Sequence, residues 1–200
     1  MRVVAVMGSY RKGKTIDSLT DEAIRGVRDA DPSAEIEKIV LVDRDIRYCT
    51  NCMACMKDDP EKPIARCTID DDMQALYPLI RDADAYIFAT PVNMGAVTAI
   101  MKTFLERICY TLARPGRWPI RGCPEPRVGD RKRLIVLLSA GLIPPLLRRF
   151  CDDATSLIKM TCKDSLNARL VGSLYAGAVH ERGADYYAAA ARRLGRKLVQ

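Results

Sequence analysis

The chain has 200 residues, 48% hydrophobic and 28% charged, which excludes disorder as its main state. Its 8 cysteines are too dilute for a small disulfide scaffold. The net charge of +7 is modest and gathers in residues 114–133, where it favours a phosphorylated cofactor or an acidic protein as much as nucleic acid. Trp118 is the only aromatic residue there, so no nucleic-acid partner is expected.

The longest charge-free stretches, Ala85–Met101 and Leu134–Leu147, are interrupted by Pro and Gly and fall short of the roughly 18–20 apolar residues of a membrane span. No basic stretch precedes an apolar core near the N-terminus. The expectation is a soluble cytoplasmic protein with no membrane partner, its cysteines kept reduced.

Val3–Met7 is a short apolar run ended by Gly8, the pattern of a buried parallel strand. Ile16, Leu19, Ala23, Ile24 and Val27 follow at helical spacing. A second strand is predicted at Ile36–Val42, then an irregular stretch from Asp43 to about Asp70 that holds four cysteines. Met73–Arg81 reads as a helix and Ala85–Ala89 as a buried strand stopped by Thr90-Pro91. Val97, Ile100, Met101, Phe104, Leu105 and Ile108 form the cleanest amphipathic pattern in the chain.

Arg114–Asp130, with four prolines, reads as a loop. Leu134–Leu138 is a fourth buried strand. Pro144-Pro145 opens a helix predicted to reach Cys162. Leu170–Val179 holds a fifth strand, and Tyr187, Ala191, Leu194 and Leu198 share one face of a last helix. Strict β-α alternation with apolar strands predicts an α/β fold: a doubly wound, five-stranded parallel sheet between two helix layers. Residues 1–200 read as one domain with insertions at about 43–70 and 114–131.

Three strand-end loops can share a ligand beyond the carboxyl edge of such a sheet. The first, Gly8-Ser9-Tyr10-Arg11-Lys12-Gly13-Lys14-Thr15, combines helix-start N–H groups with the hydroxyls of Ser9 and Thr15 and the charge of Arg11 or Lys14. Its letters also satisfy the P-loop pattern G-x-x-x-x-G-K-[ST]. A nucleoside triphosphatase would add an aspartate at the end of another buried strand, and Ala85–Ala89 and Leu134–Leu138 end instead in Thr90-Pro91 and Ser139. The second loop, Thr90-Pro91-Val92-Asn93-Met94-Gly95, is short and uncharged and suits a flat heteroaromatic ring. The third, Ser139-Ala140-Gly141, allows close backbone approach. One phosphate site beside a neutral slot fits FMN better than a nucleoside triphosphate.

Cys49, Cys52 and Cys55 form C-x₂-C-x₂-C, and Cys67 follows after 11 residues. Three thiolates on one chain turn, closed by a more distant fourth, suit a [4Fe–4S] cluster. Zinc and redox-active thiols remain alternatives. Cys109, Cys123, Cys151 and Cys162 share no spacing and read as single thiols.

Together the first loop, the Cys49/Cys52/Cys55 triplet, Cys67-Thr68-Ile69-Asp70-Asp71-Asp72-Met73, the segment from Asp84 through Pro91–Gly95 to Lys102 and Arg107, and Leu194–Leu198 resemble the NADPH-dependent FMN reductase and flavodoxin-like superfamily. Within it, the chain resembles the iron–sulfur flavoprotein branch. The resemblance implies a flavodoxin-like fold with FMN. Ser9, Arg11, Gly13, Lys14 and Thr15 would hold its phosphate. Pro91, Val92, Asn93, Met94 and Gly95 would line the ring, with Ser139, Ala140 and Gly141 nearby.

The resemblance also implies a [4Fe–4S] cluster on Cys49, Cys52, Cys55 and Cys67 and a homodimer or homotetramer. Ferredoxin or NAD(P)H is the expected electron donor, with quinone, oxygen and peroxide also open as redox partners. Three departures stand out: Lys14 where the family often has Asn, Asn93 where it often has Tyr, and a longer gap before Cys67. The expected function is electron transfer between cluster and FMN. The alternatives are a cluster-free NAD(P)H-dependent FMN or quinone reductase and a P-loop-like nucleotide-binding protein.

No protein acid or base is expected, because the flavin carries the chemistry. His180 reads as a surface or loop residue. Lys102, Glu106 and Arg107 read as a solvated face or oligomer contact. Trp118 and its flanking arginines are candidates to cap a neighbouring subunit's flavin or to receive a dinucleotide phosphate.

Overall fold

The computed structural model describes residues 1–116 and 123–200. The apolar runs become the strands buried on both faces: β1 (Arg2–Met7), β3 (Ala85–Pro91) and β6 (Lys132–Ser139). They lie at the centre of a parallel sheet ordered β2–β1–β3–β6–β7, with β2 (Glu35–Val40) and β7 (Ala168–Ala176) at its edges. The order reverses between β1 and β3, as a doubly wound sheet requires.

Helices α3 (Met73–Arg81), α4 (Ala99–Leu112) and α5 (Asp153–Leu166) cover one face, where Tyr77, Phe88, Phe104 and Ile158 are buried. Helices α1 (Thr15–Ala30) and α7 (Asp185–Val199) cover the other, burying Leu19, Ala23, Ala191 and Leu198. Short helices α2 (Ala54–Lys57) and α6 (Val179–Arg182) complete the set. No helix among the described residues is long and apolar enough to cross a membrane.

Five boundaries differ from the sequence reading. The second strand ends at Val40, because Leu41–Asp43 turns as a 3₁₀ helix that leaves Val42 exposed. The third strand runs through Thr90-Pro91. Val92 N donates to Ser139 O at 2.8 Å, toward β6, so by alternation the missing Pro91 N–H faces β1, whose partner chain has already turned away after Gly8.

The segment read as a loop over Arg114–Asp130 contains a short antiparallel pair, β4 (Ala113–Pro115) with β5 (Pro124–Pro126). The helix expected from Pro145 to Cys162 is broken: Pro145–Phe150 is a 3₁₀ turn, and Asp152 caps a new helix by accepting from Thr155 N at 2.8 Å. The fifth strand spans Ala168–Ala176 rather than Leu170–Val179, because the chain turns at Gly177 into α6. Trp118, Arg117 and Arg121 lie outside the described residues.

Candidate flavin and cluster sites

Parallel pairing sets the first, second and third loops side by side. Met7 lies opposite Ala89, and Pro91 opposite Ser139, so all three strands release their chains at one edge. Gly8 N donates to Ala89 O at 2.8 Å. The Thr98 hydroxyl donates to Gly8 O at 2.6 Å and accepts from Met101 N at 3.3 Å, which pins the first loop to the start of α4. Gly8 is required there: a Cβ would fall 2.7 Å from Met101 Cβ.

In the first loop Ser9 is buried, and its hydroxyl bonds the backbone of Arg11. Gly13 takes φ +66° and donates to Asp17 Oδ2 at 2.6 Å. Helix α1 then begins at Thr15, and its N-cap residue Lys14 makes no side-chain cap bond, so its first N–H groups are donors of the kind that bind an anionic oxygen at a helix start.

Burial pushes the Asp17 carboxyl up, but Lys38 and the Gly13 N–H outweigh it and hold it below its ordinary range. The negative charge of Asp17 is thereby matched by Lys38, which also pairs with Asp21. Lys12 pairs with Asp43 at 2.8 Å. Among the described residues Arg11 and Lys14 have no such acidic partner, so both charges remain available to a phosphate.

The second loop closes as a two-residue turn. Asn93 N donates to Ala96 O, and Ala96 N to Asn93 O, both at 2.9 Å. Met94 and Gly95, at φ 51° and +80°, occupy the left-handed positions that this turn demands. Met94 therefore stands fully in solvent. In the third loop Ser139 and Ala140 are buried. The Ala140 and Gly141 carbonyls accept from Val179 N and His180 N, both at 3.2 Å. His180 is exposed, as expected of a surface or loop residue, with its ring beside Gly141.

The four cysteines meet elsewhere. Cys49, Cys52, Cys55 and Cys67 line one cavity of about 80 Å³ together with Ile69, Arg107 and Tyr110. The left-handed Asn51 and Met53 fold the C-x₂-C-x₂-C segment back on itself ahead of α2. Burial pushes the Cys55 thiol up, and the nearby Cys67 and Cys49 sulfurs add to this. A hydrogen bond with Thr68 at 3.2 Å, helped by the Ala54 N–H, holds the Cys52 thiol below its usual range.

Among the described residues no three His, Cys, Asp or Glu side chains converge closely enough for a single metal ion. Four thiols on the wall of one cavity are the donor type and number that an iron–sulfur cluster takes.

Arg107 is a site residue that the sequence reading misplaced. Far from a solvated face, it is 2% exposed and makes a bidentate pair with Asp71, whose side chain is out of solvent. It also donates to Arg47 O at 2.7 Å and to Cys67 Sγ at 3.5 Å. The signal was present: 104, 107, 108 and 111 share one helical face, and Phe104 and Ile108 are core residues. Lys102 and Glu106 lie on the expected solvated face, where the structure pairs them with each other.

Arg127, counted in the basic patch, is a second anchor. It donates through Nε to Ala113 O at 2.9 Å and through Nη1 to Asp59 O, Pro60 O and Lys62 O. Arg114 pairs with Glu61 and Glu125. The two insertions are therefore bound to each other.

A five-stranded parallel sheet ordered β2–β1–β3–β6–β7, with three strand-end loops at its carboxyl edge, is a flavodoxin-like fold. Residues 1–122 match the NADPH-dependent FMN reductase family, and the chain belongs to that family. It is 34% identical over 115 residues to an iron-sulfur flavoprotein of Archaeoglobus fulgidus, a match covering 58% of this chain and 49% of the relative. It is 30% identical over 107 residues to an iron-sulfur flavoprotein of Methanosarcina thermophila, covering 54% and 52%. The matched region thus spans about half the length of these curated relatives. Among solved structures, an FMN-dependent NADH-azoreductase of Bacillus anthracis in complex with FMN superposes with a TM-score of 0.74. The superposition covers 100% of this chain and 99% of that one at 10% identity, and it shows the shared fold.

Proposed function

We propose that this chain is one FMN-binding unit of an electron-transfer oxidoreductase that passes electrons between a [4Fe–4S] cluster and FMN. The observation that carries the cluster is the cavity shared by Cys49, Cys52, Cys55 and Cys67, which come from two segments 11 residues apart. FMN supplies hydride and single-electron chemistry when bound.

The chain's own part at the flavin is to bind and orient. The uncapped start of α1, with Ser9, Arg11, Gly13, Lys14 and Thr15, offers donors and charge to the phosphate. Pro91 to Gly95 would line the ring with backbone and uncharged side chains, with Ser139, Ala140 and Gly141 nearby. At the cluster, the four cysteines supply thiolates. Electrons come from NAD(P)H or ferredoxin. Leu142, Leu146 and Phe150, exposed near the third loop, support a homo-oligomer in which a second copy covers that edge.

A visible spectrum with iron, sulfide and flavin assays on protein purified without air tests the reading. Flavin with about four iron and four sulfide per chain is expected. Cys52→Ala should abolish the cluster absorption and leave FMN in place. Flavin with no iron in the unaltered protein sinks the cluster assignment. Neither cofactor would sink the whole proposal and make ATP binding the next assay.

A further inference from the structure

We propose that Arg107 is a positioning residue that holds the Cys67 sulfur and, through N–H groups directed at cluster sulfurs, stabilises the reduced cluster. This inference rests on the cluster reading above.

Cys67 differs from the other three cysteines in how it is held. Its sulfur accepts from Arg107 Nη2 at 3.5 Å, and its carbonyl accepts from Gln74 Nε2 at 3.4 Å. The guanidinium is itself fixed. Asp71 takes one N–H from each terminal nitrogen, Arg47 O takes another, and the Arg107 carbonyl is tied to Tyr77 and Thr111. Both members of the ion pair are removed from solvent, the side chains being 1% and 0% exposed. A fork this constrained fixes the direction of each of its donors.

One donor is left over. Arg107 Nε is buried and has no hydrogen-bond partner among the described residues. Arg107 also lines the cavity that all four cysteines share. A buried N–H without an acceptor is costly, so its retention in a cavity lined by cysteines points to an acceptor supplied by the cavity's occupant. The sulfide and thiolate sulfurs of an iron–sulfur cluster are such acceptors. Hydrogen bonds to them favour the reduced form, which carries one more negative charge, and so raise the potential. Asp71 cancels the net charge of Arg107, so the effect must come from directed N–H groups.

The test uses the full chain purified without air, with iron, sulfide and FMN assays and a redox titration of the cluster followed by electron paramagnetic resonance. Arg107→Gln combined with Asp71→Asn replaces the ion pair with neutral amides and strands no buried charge. This double variant should keep FMN and four iron per chain. Its cluster should be reduced with a tenfold smaller equilibrium constant, a fall of about 59 mV for a one-electron couple.

A full cluster at the wild-type potential in the double variant overturns the proposal and leaves the cluster reading intact. If the double variant loses FMN and so reports misfolding, Arg107→Lys takes its place. Lysine keeps the charge against Asp71 but not the fork, so a lowered potential supports the proposal and an unchanged one overturns it. Wild-type protein holding FMN and no iron overturns the cluster reading, and this inference with it.

Discussion

At the carboxyl edge of the sheet, Gly8 and Val92 are held by backbone hydrogen bonds to Ala89 and Ser139, which the strands supply. Around the cysteine cavity, Cys67 and residues 59–62 are held by the side chains of Arg107 and Arg127, which lie far along the chain. The flavin edge follows from strand order and small residues. The cysteine excursion has little secondary structure of its own and borrows rigidity from two arginines. Damage should therefore be separable: substitutions at the edge should cost flavin, and substitutions at the arginines should cost the excursion.

The largest effect should come from Arg107→Met. It leaves the Asp71 carboxylate buried without its partner, which typically costs about 3–5 kcal/mol. A urea titration followed by circular dichroism should show the lowered midpoint. A loss under about 1 kcal/mol, the range of an exposed pair, would mean that the excursion does not depend on this one.

Gly8→Val attacks the other region. Its side chain would meet Met101 Cβ at 2.7 Å and Cε at 2.8 Å, an overpacking worth about 1–3 kcal/mol. The purified variant should lose FMN absorbance while keeping its iron. Parallel loss of both cofactors would show that the two regions are coupled through α4, which starts at one and ends at the other.

Arg127→Ala removes four hydrogen bonds to backbone carbonyls and should cost about 1–2 kcal/mol, felt locally. Limited proteolysis should cut residues 57–66 faster in the variant, with flavin content unchanged. Equal cutting rates would show that Arg127 is not an anchor.

The smallest effect concerns pH. Asp58 accepts from Lys62, Arg66 N and Asp59 N, which hold its carboxyl down at about 2. Its folded value lies below the unfolded value near 3.9, so its contribution is full above that value and fades as pH falls toward 2. Pepsin cleavage of the metal-free protein across that window should accelerate in the wild type more than in Asp58→Asn.

Much of this was legible in the linear chain. Apolar runs at Val3–Met7, Ala85–Ala89 and Leu134–Leu138 can be stable only when buried on both faces, so the sheet and its loop edge follow from them. The cysteine spacing likewise marks a candidate ligand set by residue type and interval, and the fold brings the four to one cavity. Capping and pairing partners were harder to see. Asp152 divides the helix read from Pro145 to Cys162, because its carboxylate rewards a new start that the apolar pattern does not reveal.

The sequence by itself thus determined the layer order, the strand-end loops and the candidate ligands, because these depend on local periodicity and on residue types. Tertiary structure alone decided that Arg107 faces Asp71 and Cys67 across 36 and 40 residues. It alone decided, too, that Arg127 clamps the excursion from 65 to 68 residues away. A long polar side chain reads as solvated until packing removes its water, and only the fold shows which charges and carbonyls replace that water.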